Sequence, residues 1–510
     1  LLEILGDFSD YLIYEENRPL IFTQAIFWVF FGGLIFIYQF IYRYNNSRNI
    51  LLMLFSMYFY YLSSGYYFCL LIFSTLVDYY LGKAIFESNE PGKKKLYVTL
   101  SIITNLGVLA YFKYAYFFTD TFNNLAGTSL ETTNYLAVIL NKVLNLSIDA
   151  SRIFLPVGIS FYTFQTISYS VDIYRGKLTP VKSILDFAFY VSFFPQLVAG
   201  PIVRASDFVP QIYKKYKLSN EDFGKGIFLI ICGLIKKIFI SDYISVNYVD
   251  RIFGNPEGFT GFENLMAIYG YSLQIYCDFS GYTDIAIGIA LLLGFRLPLN
   301  FNSPYKAVNI TDFWRRWHIS LSRWLRDYLY ISMGGNRRGQ SRTYLHLMIT
   351  MLLGGLWHGA HLRFIVWGGL HGLALAFHKI WLEIFKSENN SEESYISKII
   401  SGIITFHFVA FCWIFFRANT FELAGKMILQ IYHSFRPEVI YEAIIAYKNV
   451  FLIMLLGYTL HLLPNKWKDF GSETFVNIPD FAKATIILAV MLVLFQVKSS
   501  ALQPFIYFQF

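Results

Sequence analysis

Apolar runs of bilayer length recur along the whole chain, separated by short polar or basic segments. A helix needs about 20 predominantly apolar residues to cross the hydrocarbon core. Stretches meeting this requirement fall at residues 20–42, 97–118, 153–173, 183–199, 224–241, 343–358, 362–383, 397–416, 448–463 and 482–497. Residues 50–82 are too long for one crossing and break at Ser63-Ser64-Gly65, which predicts two helices; residues 263–294 also predict two. The total is about eleven to thirteen transmembrane or re-entrant helices. Polar loops are expected at 119–135, 386–394 and 465–480.

Two segments have a different periodicity. Within residues 1–16, Leu1, Ile4, Leu5, Phe8, Tyr11 and Leu12 share one helical stripe while Glu3, Asp7 and Asp10 lie elsewhere, which predicts an interfacial helix. Over 311–331, winding at about 100° per residue gathers Arg315, Arg316, Arg323 and Arg326 into one sector. Phe313, Trp314, Trp317, Leu321, Trp324, Leu325 and Tyr328 fill the opposite sector, and His318 sits on the border. That pattern predicts one amphipathic helix lying at headgroup depth.

Composition agrees with the pattern. The chain is 55% hydrophobic, 20% aromatic and only 15% charged, against about 25% charge in soluble domains. No long polar segment interrupts the apolar runs, so residues 1–510 predict one all-α polytopic membrane domain without a separate soluble domain. The net charge of +8 resides in short loops, where Lys and Arg orient helices and meet anionic headgroups; it does not point to nucleic acid. The positive-inside rule puts Arg43, the PGKKK cluster at 91–95 and Arg175 with Lys177 in the cytoplasm, and 119–135 outside. Cys69, Cys232, Cys277 and Cys412 are far apart and form no CxxC pair, so neither a disulfide framework nor a metal knuckle is predicted. No cleavable signal is evident; the chain opens at Leu1 without a methionine, so a few residues are expected to precede it.

Chemistry concentrates in the second half, since all nine histidines lie at or after position 318. The stretch LLGGLWHGAHLRFIVWGGLHG, 352–372, combines a membrane-like composition with three histidines and an arginine. Ionisable groups inside a membrane are costly and point to function by default, and His358 between Trp357 and Gly359 is the sharpest case; a packing histidine is the alternative. His358 and His361 stand at i,i+3, yet no acid lies in the stretch to complete a zinc site, so no metal is expected. His371 and His378 share a helical face and suit hydrogen bonds between helices. In CDFSGYTDIAIG, 277–288, Asp278 could cap a helix start, and either Asp278 or Asp284 could pair with an arginine or orient a histidine. No P-loop, HExxH or GxSxG appears, which removes support for ATP hydrolysis, zinc proteolysis and a hydrolase elbow. A lipid or polymer transporter would also need intramembrane polar groups, but no paired repeat supports it.

The segments LPVGISFYTFQTISYSVDIYRG (155–176), FFPQLVAGPIVRASDF (193–208), QIYCDFSGYTDIAIGIALLLGF (274–295), FNSPYKAVNITDFWRRWHISLSRWLRDYLYISMGGNR (301–337) and 352–372, in this order, resemble the membrane-bound O-acyltransferases. The resemblance covers about residues 50–420, leaving 421–510 as C-terminal helices, and is nearest the branch that acetylates alginate, with teichoic-acid D-alanyl transferases more distant. It implies a ring of helices around a central tunnel, with His358 and His318 at the family's two polar positions. It also implies a cytoplasmic thioester donor, acetyl-CoA or another acyl thioester, with no tightly bound cofactor. The implied acceptor is a hydroxyl of an exported or cell-surface polysaccharide, reached directly or through an extracytoplasmic partner. The expected location is a bacterial cytoplasmic membrane, among its lipids. D-alanyl transfer is the alternative activity.

The residues support that chemistry in their own right. Histidine can take the proton from an attacking hydroxyl near neutral pH. Arg315, Arg316 or Arg323 could hold donor phosphates, or equally anchor lipid. Trp357 and Asp284 are expected to line the tunnel or the donor site.

Overall fold

The computed structural model describes residues 12–15, 18–385, 394–497 and 505. Those residues are helical and contain no strand, and they divide into two compact units. The stripe predicted over 1–16 lies outside the described residues except at 12–15, which are not helical. The same holds for 386–393 of the expected polar loop.

The first unit comprises residues 1–198, 202–215 and 359–361. Its helices are α1 (Ala25–Ile41), α2 (Asn45–Ser64), α3 (Phe68–Glu87), α4 (Pro91–Ala126), α5 (Tyr135–Leu144), α6 (Ile159–Tyr174), α7 (Ile184–Ser192), α8 (Phe194–Leu197) and α9 (Ala205–Ile212). The break between α2 and α3 falls at Gly65, as its sequence signal predicts, in a φ of +57°. Helix α4 runs on through 119–126, part of the expected polar loop, and stops at Gly127, which is left-handed at φ +65°. The expected span at 183–199 is broken at Phe193 instead. Pro195 has no N–H to continue the ladder, and its ring would clash with the carbonyl four residues back. A buried polar cluster fastens α3, α4 and α6: the Asp78 carboxylate accepts from Ser101 Oγ, Asn105 Nδ2 and Ser170 Oγ.

The second unit comprises residues 199–201, 216–358 and 362–510. In order it contains α10 (Asn220–Leu234), α11 (Asp250–Gly254), α12 (Gly261–Leu292), α13 (Ile310–Arg316), α14 (Ile319–Trp324), α15 (Gln340–His358), α16 (Leu362–Ile384), α17 (Tyr395–Arg417), α18 (Phe421–His433), α19 (Ile440–Ala446), α20 (Lys448–Leu462), α21 (Asn465–Asn477) and α22 (Asp480–Val497). Residues 263–294 form one helix, not two. Thr260 and Glu263 make a capping box at its start, and mid-helix hydroxyls return their protons to carbonyls one turn back, as Ser272 does to Ile268. Of the apolar window of α12, 83% is buried in protein, against 6% for α22. Helix α12 is therefore the unit's central post, and α22 faces outward.

Glycines let two helix pairs approach closely. A Cβ on Gly233 of α10 would come within 2.5 Å of the Gly281 carbonyl oxygen on α12, and one on Gly288 would meet Gly226 in the same way. Gly355 and Gly368 bring α15 and α16 together similarly, each facing backbone of the other helix. With α2 and α3 taken together as Asn45–Glu87, five helices among the described residues are long and apolar enough to cross a membrane, or six if α19 and its bent continuation α20 count as one span. Several other expected spans are interrupted or hold buried polar groups, which lowers their hydropathy.

The expected loop 465–480 contains helix α21, in which Phe475 packs 5.6 Å from Phe228. Its many charges disguised a one-sided apolar contact. The single amphipathic helix expected at 311–331 is also broken. Trp317 is extended and His318 left-handed, with φ +42° and ψ 56°. The chain on either side is pinned to residues 300–302 by two backbone bonds, Asn302 N to Arg316 O and Ile319 N to Asn300 O, each 2.9 Å. That pairing overrides the helix. The apolar sector then docks on protein rather than on headgroups: Phe313, Trp317 and Leu321 are buried, and Trp317 lies 5.0 Å from Trp413.

Candidate active site

His318 and His358 arrive from separate segments and meet across one indole. His358 ends α15 and is buried, with ring centres of Trp357, Trp367 and Phe416 at 4.9, 5.1 and 5.3 Å. The Trp357 ring that stands 4.9 Å from His358 is 6.1 Å from His318. Phe279 of α12 meets His318 edge-on at 4.7 Å. The two histidines therefore share an aromatic, water-poor enclosure. Burial favours the neutral imidazole of His318.

His318 is held more closely than its sequence signal indicates. Asn300 Oδ1 accepts from the Ser320 backbone N–H at 3.1 Å and from Ser320 Oγ at 2.9 Å, and lies 3.2 Å from His318 Nδ1. A backbone N–H can only donate, so the Asn300 atom facing it must be the oxygen. His318 Nδ1 must then carry the proton and donate to that oxygen. In the neutral ring Nε2 is left with the lone pair. The left-handed backbone at His318, uncommon for a residue other than glycine, keeps this arrangement. Asn300 was missed from sequence because it stands 18 residues away and carries no local motif.

Asp278 and Asp284 each meet a lysine. Asp284 meets Lys236 at 2.6 Å, and Asp278 meets Lys237, which also reaches Asp242 at 2.7 Å. Asp278 lies mid-helix in α12, so it does not cap a start. The glycine seam between α10 and α12 places these charges side by side.

Of the predicted arginines, Arg316 is half-buried and bound to Asp312 at 2.9 Å, while Arg315 and Arg323 are exposed. Trp357 is buried between the histidines. His378 shares a 2.9 Å hydrogen bond with Thr311 Oγ1, as its helical face suggested. His371 does not follow suit: it is fully buried and bonds no protein group among the described residues, lying in a box of Phe313, Trp314 and Trp367. His361 is exposed, and no group of three or more potential ligands is placed to hold a metal among the described residues.

Residues 97–421 match the membrane-bound O-acyltransferase family. The chain belongs to this family. The match spans both histidines and ends where α18 begins. The chain is thus a multi-pass membrane enzyme that transfers acyl groups to oxygen. It is 40% identical over 384 residues to the probable alginate O-acetylase of Pseudomonas syringae pv. tomato, covering 75% of this chain and 70% of that protein. It is 38% identical over 403 residues to the peptidoglycan O-acetyltransferase of Helicobacter pylori, covering 74% and 72%. The teichoic acid D-alanyltransferase of Bacillus subtilis is 29% identical over 287 residues, covering 52% and 69%.

Proposed function

We propose that this acyltransferase moves an acetyl group from a cytoplasmic thioester to hydroxyls of an exported or cell-surface polysaccharide, directly or through an extracytoplasmic partner, in a bacterial cytoplasmic membrane. The observation that carries the reading is the convergence of His318 and His358 on Trp357 inside an apolar enclosure. The acetyl group is favoured over D-alanine because the acetylating relatives resemble three-quarters of the chain at 38–40% identity, and the D-alanyl relative half of it at 29%.

In this reading His358 is the base. It takes the hydroxyl proton as the acceptor oxygen bonds to the acyl carbon, the C–S bond breaks, and the imidazolium returns the proton to the departing sulfur. His318 presents a lone pair at Nε2, so it orients the acceptor hydroxyl by accepting a hydrogen bond. A neutral ring of that tautomer has no proton at Nε2 to give the donor's carbonyl. Exposed Arg315 and Arg323 are suited to phosphates, of donor or lipid. Neither a metal nor a tightly held cofactor takes part in this scheme.

The test offers reconstituted enzyme two donors, an acetyl thioester and a D-alanyl thioester, with a hydroxylated polysaccharide as acceptor and any required partner present. Acetyl ester formation is expected. Turnover with the D-alanyl donor alone would overturn the acetyl reading.

A further inference from the structure

The C-terminal end of α20 gathers positive charge that no carboxylate among the described residues meets. Lys306 Nζ donates to the Leu463 carbonyl at 2.5 Å, and Lys468 Nζ to the His461 carbonyl at 3.0 Å and to Ser303 Oγ at 2.8 Å. Both ammonium groups are half-buried, and neither has a carboxylate partner among the described residues. Between them sits His461, only 3% exposed. Its Nε2 accepts from the Tyr305 backbone N–H at 3.1 Å, so the proton of the neutral ring must be on Nδ1. That buried N–H meets no protein acceptor.

Nearby charge does not resolve the surplus. Lys236 lies 5.8 Å over the Tyr276 ring, which is itself 4.5 Å from His461, but its charge is matched by Asp284. Burial, then Lys306 and Lys236, pull the Lys468 pKa down to about 8, and burial and Arg316 lower that of Lys306. Capping the α20 carbonyls uses one N–H of each lysine, and a helix end offers only about half a negative charge. Two ammonium groups and a buried N–H then share a site that lacks an anion. The backbone of Ser303, at φ +45°, adds a strained residue to the same spot.

We propose that Lys306, Lys468 and the Nδ1–H of His461 form a binding site for a phosphoryl anion. Two ligands carry that chemistry: the phosphates of a soluble thioester donor, and the headgroup of an anionic phospholipid. The first source rests on the thioester reading above; the site itself does not. Tyr276 and Phe301 connect His461 to His318 through three ring contacts, of 4.5, 6.0 and 6.5 Å.

The experiment measures binding rather than transfer, so its result is independent of what His358 does. Purified full-length protein is titrated with coenzyme A, with pantetheine (which lacks phosphate), and with nanodiscs of phosphatidylglycerol or phosphatidylcholine. Lys306→Met and Lys468→Met are compared with wild type. Loss of one charge-assisted bond should weaken phosphoryl binding about tenfold. If the donor is the ligand, coenzyme A weakens and pantetheine does not. If a headgroup is the ligand, phosphatidylglycerol weakens while coenzyme A and phosphatidylcholine do not. Unchanged binding of both coenzyme A and phosphatidylglycerol in folded Met variants would overturn the site and leave the lysines as helix caps. Should those variants fail to fold, Lys306→Gln and Lys468→Gln, whose amides still donate to the α20 carbonyls, take their place: weakened binding of coenzyme A or phosphatidylglycerol supports the site, and unchanged binding of both overturns it.

Discussion

At His318 the chemistry depends on which ring nitrogen carries the proton, and the hydrogen bonds around Asn300 assign it to Nδ1. Two predictions follow from that assignment. Asn300→Ala frees the ring to adopt the other tautomer and leaves the Ser320 N–H without its acceptor; a lost buried hydrogen bond of this kind costs about 1–3 kcal/mol, roughly 10–100-fold if it is felt in the transition state. The loss should fall on kcat in a reconstituted assay, with donor KM little changed. Asn300→Asp keeps the acceptor but places a carboxylate beside Nδ1. It favours the imidazolium and raises the His318 pKa, so the neutral ring is recovered only at higher pH. The ascending limb of the pH–rate profile should move to higher pH in Asn300→Asp, and an unmoved limb would demote Asn300 to a packing role. His318→Ala itself should weaken transfer while the protein stays folded.

Among the elements, the seam between α10 and α12 combines close backbone approach with buried charge. Removing one member of a buried pair leaves the other uncompensated, at about 3–5 kcal/mol, whereas replacing both with apolar groups can be neutral. Asp278→Ala should therefore fail to give stable protein in detergent, and Lys237→Met with Asp278→Leu should regain much of the loss, less a contribution from Asp242, which also binds Lys237. Thermal unfolding compares them. An Asp278→Ala protein as stable as wild type but inactive would instead place that carboxylate in the chemistry. Such pairs were invisible in the sequence because lysine and acid are far apart, 48 residues for Lys236 and Asp284 and 41 for Lys237 and Asp278. Long apolar helices were legible: α15, α16, α17, α20 and α22 begin and end within a few residues of their predicted limits. Periodicity failed where tertiary backbone bonds intervened, as at Trp317 and His318, and where one apolar contact sufficed to fold a charged segment, as in α21. The break at Pro195 did carry a local signal, outweighed by the apolar residues around it.

For the whole molecule, the family match and the long apolar helices establish a multi-pass membrane acyltransferase. The positive-inside rule adds an orientation, with 91–95 cytoplasmic and the connection after α4 outside. Single cysteines at Lys93 and Thr128, in a background without accessible thiols, test this with an impermeant reagent in cells whose outer layers admit it. Labelling at 128 but not 93 is expected; the reverse would invert the donor and acceptor sides. On the sequence scale, His358 was legible as an ionisable group in apolar surroundings and His318 through the family resemblance, and their meeting across Trp357 required the fold.

The account depends most on His358 acting as the base, and turnover of folded His358 variants measures that most directly. A positioned general base contributes about 10²–10⁴-fold. His358→Ala should lose rate on that scale in a reconstituted transfer assay, and His358→Gln should do little better, since an amide cannot take the proton. Both should purify folded and bind donor as wild type does, while His361→Ala keeps most of its activity. A folded His358→Ala enzyme turning over at a near-normal rate would contradict the mechanism.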